Sequence, residues 1–279
     1  MANYTAADIK ALREKTGAGM LDVKKALDEA QGDQDKALEI IRVKGLKGVA
    51  KREGRTVAEG LIAAEVTSDG DGETGVMVEV NSETDFVAKN QTFIDFANSV
   101  LAAAVSSKAA DVDTLLGAEA DGQTVQAKVD NVAATIGEKI AVRRVARVSG
   151  EKVSVYLHRT ARDLPPSVGV LVATDAAGAE VARDVAMHIA AFSPRYLSRD
   201  DVPADVVENE RRIAEETSRN EGKPEAALPK IVEGRMNGFY KENCLLDQAF
   251  AKDPKKSVGK VVEEAGGTVL GFVRFRVGA

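Results

Sequence analysis

Apolar residues recur at helical spacing over the first fifty positions, and the pattern then changes to alternation. Ile9 and Leu12, then Met20, Val23, Leu27 and Ala30, then Leu38 and Ile41 mark the inner faces of three short helices. Thr5, with Asp8 three residues on, is a capping pair for the first helix. Thr16-Gly17-Ala18-Gly19 interrupts the periodicity as a turn, Gly32 closes the second helix and Asp33 caps the third. The Met20–Ala30 series predicts one continuous buried stripe, and Leu21 points roughly 140° away from it. Leu21 therefore reads either as a docking residue or as a partly covered surface leucine. A bundle of about 45 residues is only marginally stable alone.

Beyond residue 55 the period falls to two. Val76, Val78 and Val80 share one face of a strand whose other face carries Met77 and Glu79. Phe93, Ala97, Val100, Leu101 and Ala104 then predict a helix, Val125, Val129, Val132 and Ile136 a second, and Ile140 to Val148 a strand. This mixture predicts an α+β layer with antiparallel sheet, not a regular parallel βαβ array. The plan recurs: Gly75-Val76-Met77-Val78-Glu79-Val80 is echoed by Gly169-Val170-Leu171-Val172-Ala173-Thr174, and Val145–Gly150 by Val273–Gly278. The expected organisation is an N-terminal three-helix domain with linker over 1–55, a subdomain over 56–150, and a related one over 151–279.

The two copies differ in two places. In the first, the strand-to-helix connection is longer by about five residues, and the extra segment, Ser82 to Lys89, precedes Asn90 as a helix cap. Phe86 in that loop is either a contact residue or extra core folded back on the sheet. In the second copy a charged helical insertion over about 203–243 turns at Glu221-Gly222-Lys223-Pro224. Val206, Val207 and Ile213 on one arm and Leu228, Ile231, Val232 and Met236 on the other predict an antiparallel helical hairpin with a narrow coiled-coil seam. Pro229 marks a kink or a late start of the second arm.

Composition narrows the classes. A chain of 279 residues with 44% apolar and 29% charged residues and a net charge of -6 reads as a soluble acidic protein of two or three domains. One cysteine, Cys244, excludes an internal disulfide, a CxxC pair and a thiolate zinc cluster. The polar start, Met1-Ala2-Asn3-Tyr4, lacks a leader pattern, and runs such as Val100–Val105 are far short of the ~20 residues of a membrane span, so the reading is cytoplasmic. Residues 1–55 carry 12 basic against 9 acidic residues, and residues 56–130 carry 3 against 14. The basic cluster Lys44, Lys47, Lys51, Arg52 and Arg55 has no interleaved aromatic residue and reads as a solvated linker helix.

Catalytic and nucleotide-binding patterns are missing: no GxxxxGK[ST] loop, GxGxxG turn, GxSxG elbow or EF-hand loop. His158 lies on a strand opposite the Val153, Val155, Leu157 face and is expected at the surface or an interface; His188, at the edge of the Val181, Val185, Ile189, Phe192 stripe, is expected to be structural. No cofactor or metal is expected.

Several stretches resemble the bacterial elongation factor Ts family, the guanine-nucleotide exchange factors of elongation factor Tu. They are Leu12 to Met20 with Lys24-Lys25-Ala26-Leu27, Thr84-Asp85-Phe86-Val87-Ala88-Lys89, Ile136-Gly137-Glu138, His188-Ile189-Ala190-Ala191, and Val232-Glu233-Gly234-Arg235-Met236. They occur in family order along nearly the whole chain. The resemblance implies a UBA-like three-helix domain, two related α+β subdomains and a helical-hairpin module. It implies that Thr84, Asp85, Phe86 and Val87 lie against the nucleotide domain of the G protein, with the aromatic ring near its magnesium and phosphate site. It further implies that Arg13, Met20 and Lys24 contact the same domain, with Leu21 standing where methionine is frequent, and that Ile136, Gly137 and His158 lie at the interface. It allows a 2:2 assembly and implies no direct nucleic-acid or membrane contact. Some members carry a further helix after the last strand, and contacts from it are not expected after Ala279. Two other classes stay open: an RNA- or ribosome-associated protein using Lys44–Arg55, and an enzyme with a site between the subdomains.

Overall fold

Thr5 opens the first helix, α1 (Ala6–Thr16), through a capping box: its hydroxyl accepts the Asp8 N–H at 3.3 Å while the Asp8 carboxylate accepts the Thr5 N–H at 2.7 Å. The computed structural model of the chain describes residues 3–68 and 70–279, leaving the side chains of Lys47 and Ala50 aside. Met1 and Ala2 of the polar start, and the Lys47 side chain of the basic cluster, lie outside the described residues. Gly17, in the left-handed region at φ +69°, stops α1. Helix α2 (Met20–Glu29) buries Val23, Ala26 and Leu27, and α3 (Gln34–Arg52) starts where the Asp33 carboxylate accepts the N–H groups of Asp35 and Lys36 at 3.1 and 3.0 Å. Leu12, Val23, Leu27, Ala37 and Ile41 form the bundle core.

Met20 does not belong to that core; it is 59% exposed. It is the first residue of α2, and a helical side chain leans over the turn N-terminal to it; there lies only the Gly17–Gly19 turn. Leu21, at 72% exposure, does point outward.

The chain then forms β1 (Glu59–Ser68), β2 (Glu73–Ser82), the single-turn α4 (Asp85–Ala88), α5 (Gln91–Ser107), α6 (Val112–Gly117), a small ribbon of β3 (Glu119–Ala120) and β4 (Gln123–Thr124), α7 (Val125–Ile136) and β5 (Ile140–Gly150). The sheet is antiparallel in the order β1-β2-β5. The second half supplies β6 (Lys152–His158), β7 (Val168–Thr174), α8 (Ala179–Phe192), α9 (Ala204–Asn220), α10 (Leu228–Asn243), a ribbon of β8 (Ala249–Phe250) and β9 (Asp253–Ser257), α11 (Val258–Glu264) and β10 (Val269–Arg276). Its antiparallel sheet has the order β10-β7-β6, so β2 and β7, the strands with repeated sequence, are both central. The protein is thus of mixed α+β class with antiparallel sheets.

Side-chain alternation stacks four layers. Val76, Val78 and Val80 pack with Phe93, Val100 and Val129 of the helical layer. Met77 and Ile62 face the other way, meeting Leu171 and Phe275 between the sheets, while Val170 and Val172 turn to Val185 and Ile189 of α8. Glu79 shares the inter-sheet face and is fully buried, so β2 has no solvent face. Two repeated glycines let the sheets approach. A β-carbon on Gly75 would lie 3.1 Å from Leu171 Cδ2, and one on Gly169 would lie 2.6 Å from Met77 Sδ and 2.5 Å from Ile62 Cγ2. Each glycine receives the residue two places beyond its counterpart, a reciprocity expected of two copies packed about a pseudo-twofold axis.

The basic helix is not solvated all round. Arg42 donates to Asn131 Oδ1 at 2.8 and 3.1 Å, Arg52 donates to the Ala133 carbonyl at 3.3 Å, and a β-carbon on Gly45 would overlap the Ala134 carbonyl. α3 therefore crosses α7 in close contact. In the insertion, Ala214, Val232 and Met236 form a narrow seam, Gly222 (φ +73°) sits in the turn, and Ile213 stays 42% exposed outside the seam. Pro229 lies in the first turn of α10, where its missing N–H breaks no helical bond, so the arm starts late without a kink at that residue. No helix among the described residues is long and apolar enough to cross a membrane.

Gly169→Ala is expected to lower stability by about 1–3 kcal/mol through overpacking between the sheets. Gly234→Ala, on α10 with open space around the new β-carbon, is expected to be neutral or to stabilise by up to ~1 kcal/mol. Urea denaturation of both variants checks the contrast.

Candidate functional site

The loop leaving β2 is tied down residue by residue. The Ser82 hydroxyl donates to the Thr84 carbonyl at 3.0 Å. A Glu83 oxygen accepts the Lys139 N–H at 2.6 Å, and the same carboxylate takes the Arg55 guanidinium at 3.1 and 3.2 Å. Thr84 gives its N–H and its hydroxyl to the two oxygens of Glu138, at 3.1 and 2.7 Å, and its Oγ1 caps α4 by accepting the Val87 N–H at 3.4 Å. Asp85 stands in the first turn of α4, where a negative charge suits the helix dipole. Val87 and Ala88 are buried, and one residue is ~100° of rotation, so Phe86 is turned outward and is 73% exposed. Of the two readings open for Phe86, extra core is excluded. Lys89 Nζ lies 4.8 Å from the ring centre and 3.4 Å from Asp163, adding a cation–π contact at the loop's far end.

The N-terminal bundle comes down beside this loop. A β-carbon on Gly17 would sit 3.1 Å from the Asn90 side chain and 3.5 Å from Ile136, and the Thr92 hydroxyl donates to the Lys15 carbonyl at 2.9 Å. Between bundle and loop lies an open cleft of about 630 Å³ whose lining includes Ile9, Arg13, Met20, Phe86, Val87 and Glu138. Segments centred near residues 18, 86 and 137, remote in sequence, thus share one wall-to-wall site.

Residues 83–279 match the family model described as Elongation factor TS. Full-length curated relatives, all covered end to end as is this chain, include "Elongation factor Ts" of Beutenbergia cavernae at 69% identity, of Renibacterium salmoninarum at 64% and of Kocuria rhizophila at 64%. This chain belongs to the elongation factor Ts family. The family match begins at Glu83, the first residue of the tethered loop.

Not every residue suggested by the family resemblance lies in the cleft. Arg13, Met20, Phe86 and Val87 line it; Leu21 and Lys24 are exposed on α2, outside its lining. Ile136 is only 4% exposed and lies beneath Gly17, so it supports the turn, and Gly137 (φ +87°) ends α7 in the left-handed region. His158 is exposed at the end of β6, with the Tyr156 hydroxyl 3.2 Å from Nδ1, away from the cleft lining. The basic cluster is partly engaged within the chain: Lys44 pairs with Glu29, Arg52 with the Ala133 carbonyl, and Arg55 with Glu83. Two of the five cations are thus paired with carboxylates, which lowers the local charge that an RNA-binding reading would use. Glu138 entered the sequence reading only within a signature; no local pattern shows a carboxylate gripping a threonine 54 positions earlier.

His188 is buried far along the second subdomain. Its Nε2 meets Gln248 Oε1 at 2.8 Å and its Nδ1 accepts the Ala251 N–H at 3.2 Å, which defines a neutral imidazole donating from Nε2. Burial holds its pKa below the usual histidine value. An unfolded histidine takes up a proton near pH ~6.5 whereas the folded one does so only at lower pH, so this contribution to stability is present above the unfolded pKa and is lost as pH falls from there through the folded pKa. The melting temperature is expected to drop between pH 7.5 and 5.5, and His188→Gln is expected to flatten that slope in thermal unfolding at the two pH values.

Proposed function

We propose that this chain is a translation elongation factor that binds elongation factor Tu in its GDP state and promotes GDP release, the Thr84–Val87 loop acting as the element that disturbs the partner's magnesium and phosphate site. The observation that carries this reading is a phenylalanine held out in solvent on a loop whose backbone is anchored on both sides. An exposed aromatic ring on a flexible loop would pay entropy when it docks; one on a tethered loop arrives already ordered. Arg13 and Met20 across the cleft, with Leu21 and Lys24 on the adjoining surface of α2, offer the same partner domain a mixed apolar and cationic face. Gly137 extends that face, and His158 supplies a separate contact from the second sheet.

The exchange follows from linkage. A G protein holds GDP through its phosphate-binding loop and magnesium. If the factor binds the nucleotide-free form more tightly than the GDP form, GDP must in turn weaken the factor's binding by the same ratio. The factor is released unchanged, so it speeds approach to equilibrium and leaves the direction to the nucleotide supply. No covalent chemistry is required of its own residues.

Release of a fluorescent GDP from elongation factor Tu, with and without catalytic amounts of this protein, tests the proposal; unchanged release at saturating factor would overturn it. Phe86→Ala is expected to slow saturating release by at least about tenfold, equivalent to ~1.4 kcal/mol of barrier, with thermal stability nearly unchanged. Leu21→Ala is expected to weaken complex formation by about 1–2 kcal/mol, with little effect on saturating release, as titration calorimetry and the same exchange assay would separate.

A further inference from the structure

The exposed ring of Phe86 is only as well placed as the backbone beneath it, and that backbone is held by a short stretch from the other side of the subdomain. Residues 83 and 84 face residues 138 and 139 in a reciprocal clamp. Glu83 accepts the Lys139 N–H at 2.6 Å, and Glu138 accepts both the N–H and the hydroxyl of Thr84, at 3.1 and 2.7 Å. The acceptor geometry leaves the Thr84 hydroxyl proton directed to Glu138, so its lone pairs are free to cap α4 at the Val87 N–H. Without Glu138 that hydroxyl can rotate, and α4, a single turn, keeps no other side-chain cap. The same corner bears on the bundle, since Ile136 supports Gly17. Glu138 itself lines the cleft beside Phe86.

We infer that Glu138 is a positioning residue for nucleotide exchange: it sets the direction of the Phe86 ring by fixing both polar hydrogens of Thr84, and need not touch the nucleotide itself. The inference rests on the exchange function proposed above. Charge-assisted hydrogen bonds of this kind are stronger than neutral ones, and a carboxamide can replace only part of them, because its NH2 group would oppose one of the two Thr84 donors.

The test is a cycle of Glu138→Ala, Phe86→Ala and the double variant, with Glu138→Gln as a milder form in case the alanine variant folds poorly. Each is assayed for saturating GDP release, affinity for elongation factor Tu, thermal unfolding, and amide hydrogen exchange of the free protein. Glu138→Ala is expected to slow saturating release by about tenfold, with a much smaller change in affinity, faster amide exchange at Thr84 and Val87, and no further loss when Phe86 is already alanine. Glu138→Gln is expected to fall between. Wild-type-like release in Glu138→Ala with active wild-type protein, additive losses in the double variant, or a loss of release matched by a general fall in melting temperature would each overturn the inference. If the wild-type protein itself released no GDP, the functional reading would fail, while the amide-exchange comparison would still decide whether Glu138 orders the loop.

Discussion

β2 is covered on both faces, and the placement of the site depends on it. One face supplies Val76, Val78 and Val80 to the helical layer; the other supplies Met77 and Glu79 to the junction between the sheets. A buried carboxylate is costly unless its lone pairs are used. Glu79 uses them on Arg144 Nε at 2.6 Å, Asn81 Nδ2 at 3.1 Å and the Gly278 N–H at 3.2 Å, while Arg144 also donates to the Arg276 carbonyl at 2.8 Å and lies over the Phe275 ring. These partners come from both subdomains, so the charge joins the sheets at a point where apolar packing alone would let them slide. A strand immobilised in this way is a firm base for the loop that leaves its end.

The two sheets treat the connection that leaves their central strands differently. In the second subdomain the equivalent connection, residues 175–178, is folded tightly: the Asp175 carboxylate accepts the N–H groups of Gly178 at 2.8 Å and Thr268 at 3.0 Å. Those backbone bonds hold the Asp175 pKa below the usual carboxylate range. The first copy spends residues 83–90 on the same connection, and the surplus forms α4 with its outward ring. Of the two corresponding strand ends, one thus closes on itself and the other projects.

Much of this was legible in the residues. The i, i+4 series from Phe93 to Ala104 and the alternation of Val76, Val78 and Val80 were readable because local periodicity alone determines them. Leu21 was readable because it breaks a stripe. Met20 was misread as part of that stripe, since spacing says nothing about where the covering bundle ends. Ile213 was misread for the same reason at the hairpin seam. Glu79 was assigned a face but not its burial, and Glu138 was not connected to Thr84, because both depend on contacts between distant segments. Gly45 carries no local signal in the sequence; its purpose appears only when α7 is laid across it.

That crossing has a geometric consequence. Ile41 is the last residue of α3 in the bundle core, and Gly45, four residues on, meets the Ala134 carbonyl of α7 so closely that no β-carbon would fit. Residues four apart lie on nearly the same side of a helix, so bundle and core are keyed to one line along α3. Each residue of helix adds about 1.5 Å and turns the chain about 100°. The span from Ile41 to Gly45 is therefore a ruler with a fixed phase. One residue more or less within it would turn the bundle relative to α7 and swing Arg13 and Met20 out of line with Phe86, so that the two walls of the cleft would no longer face each other.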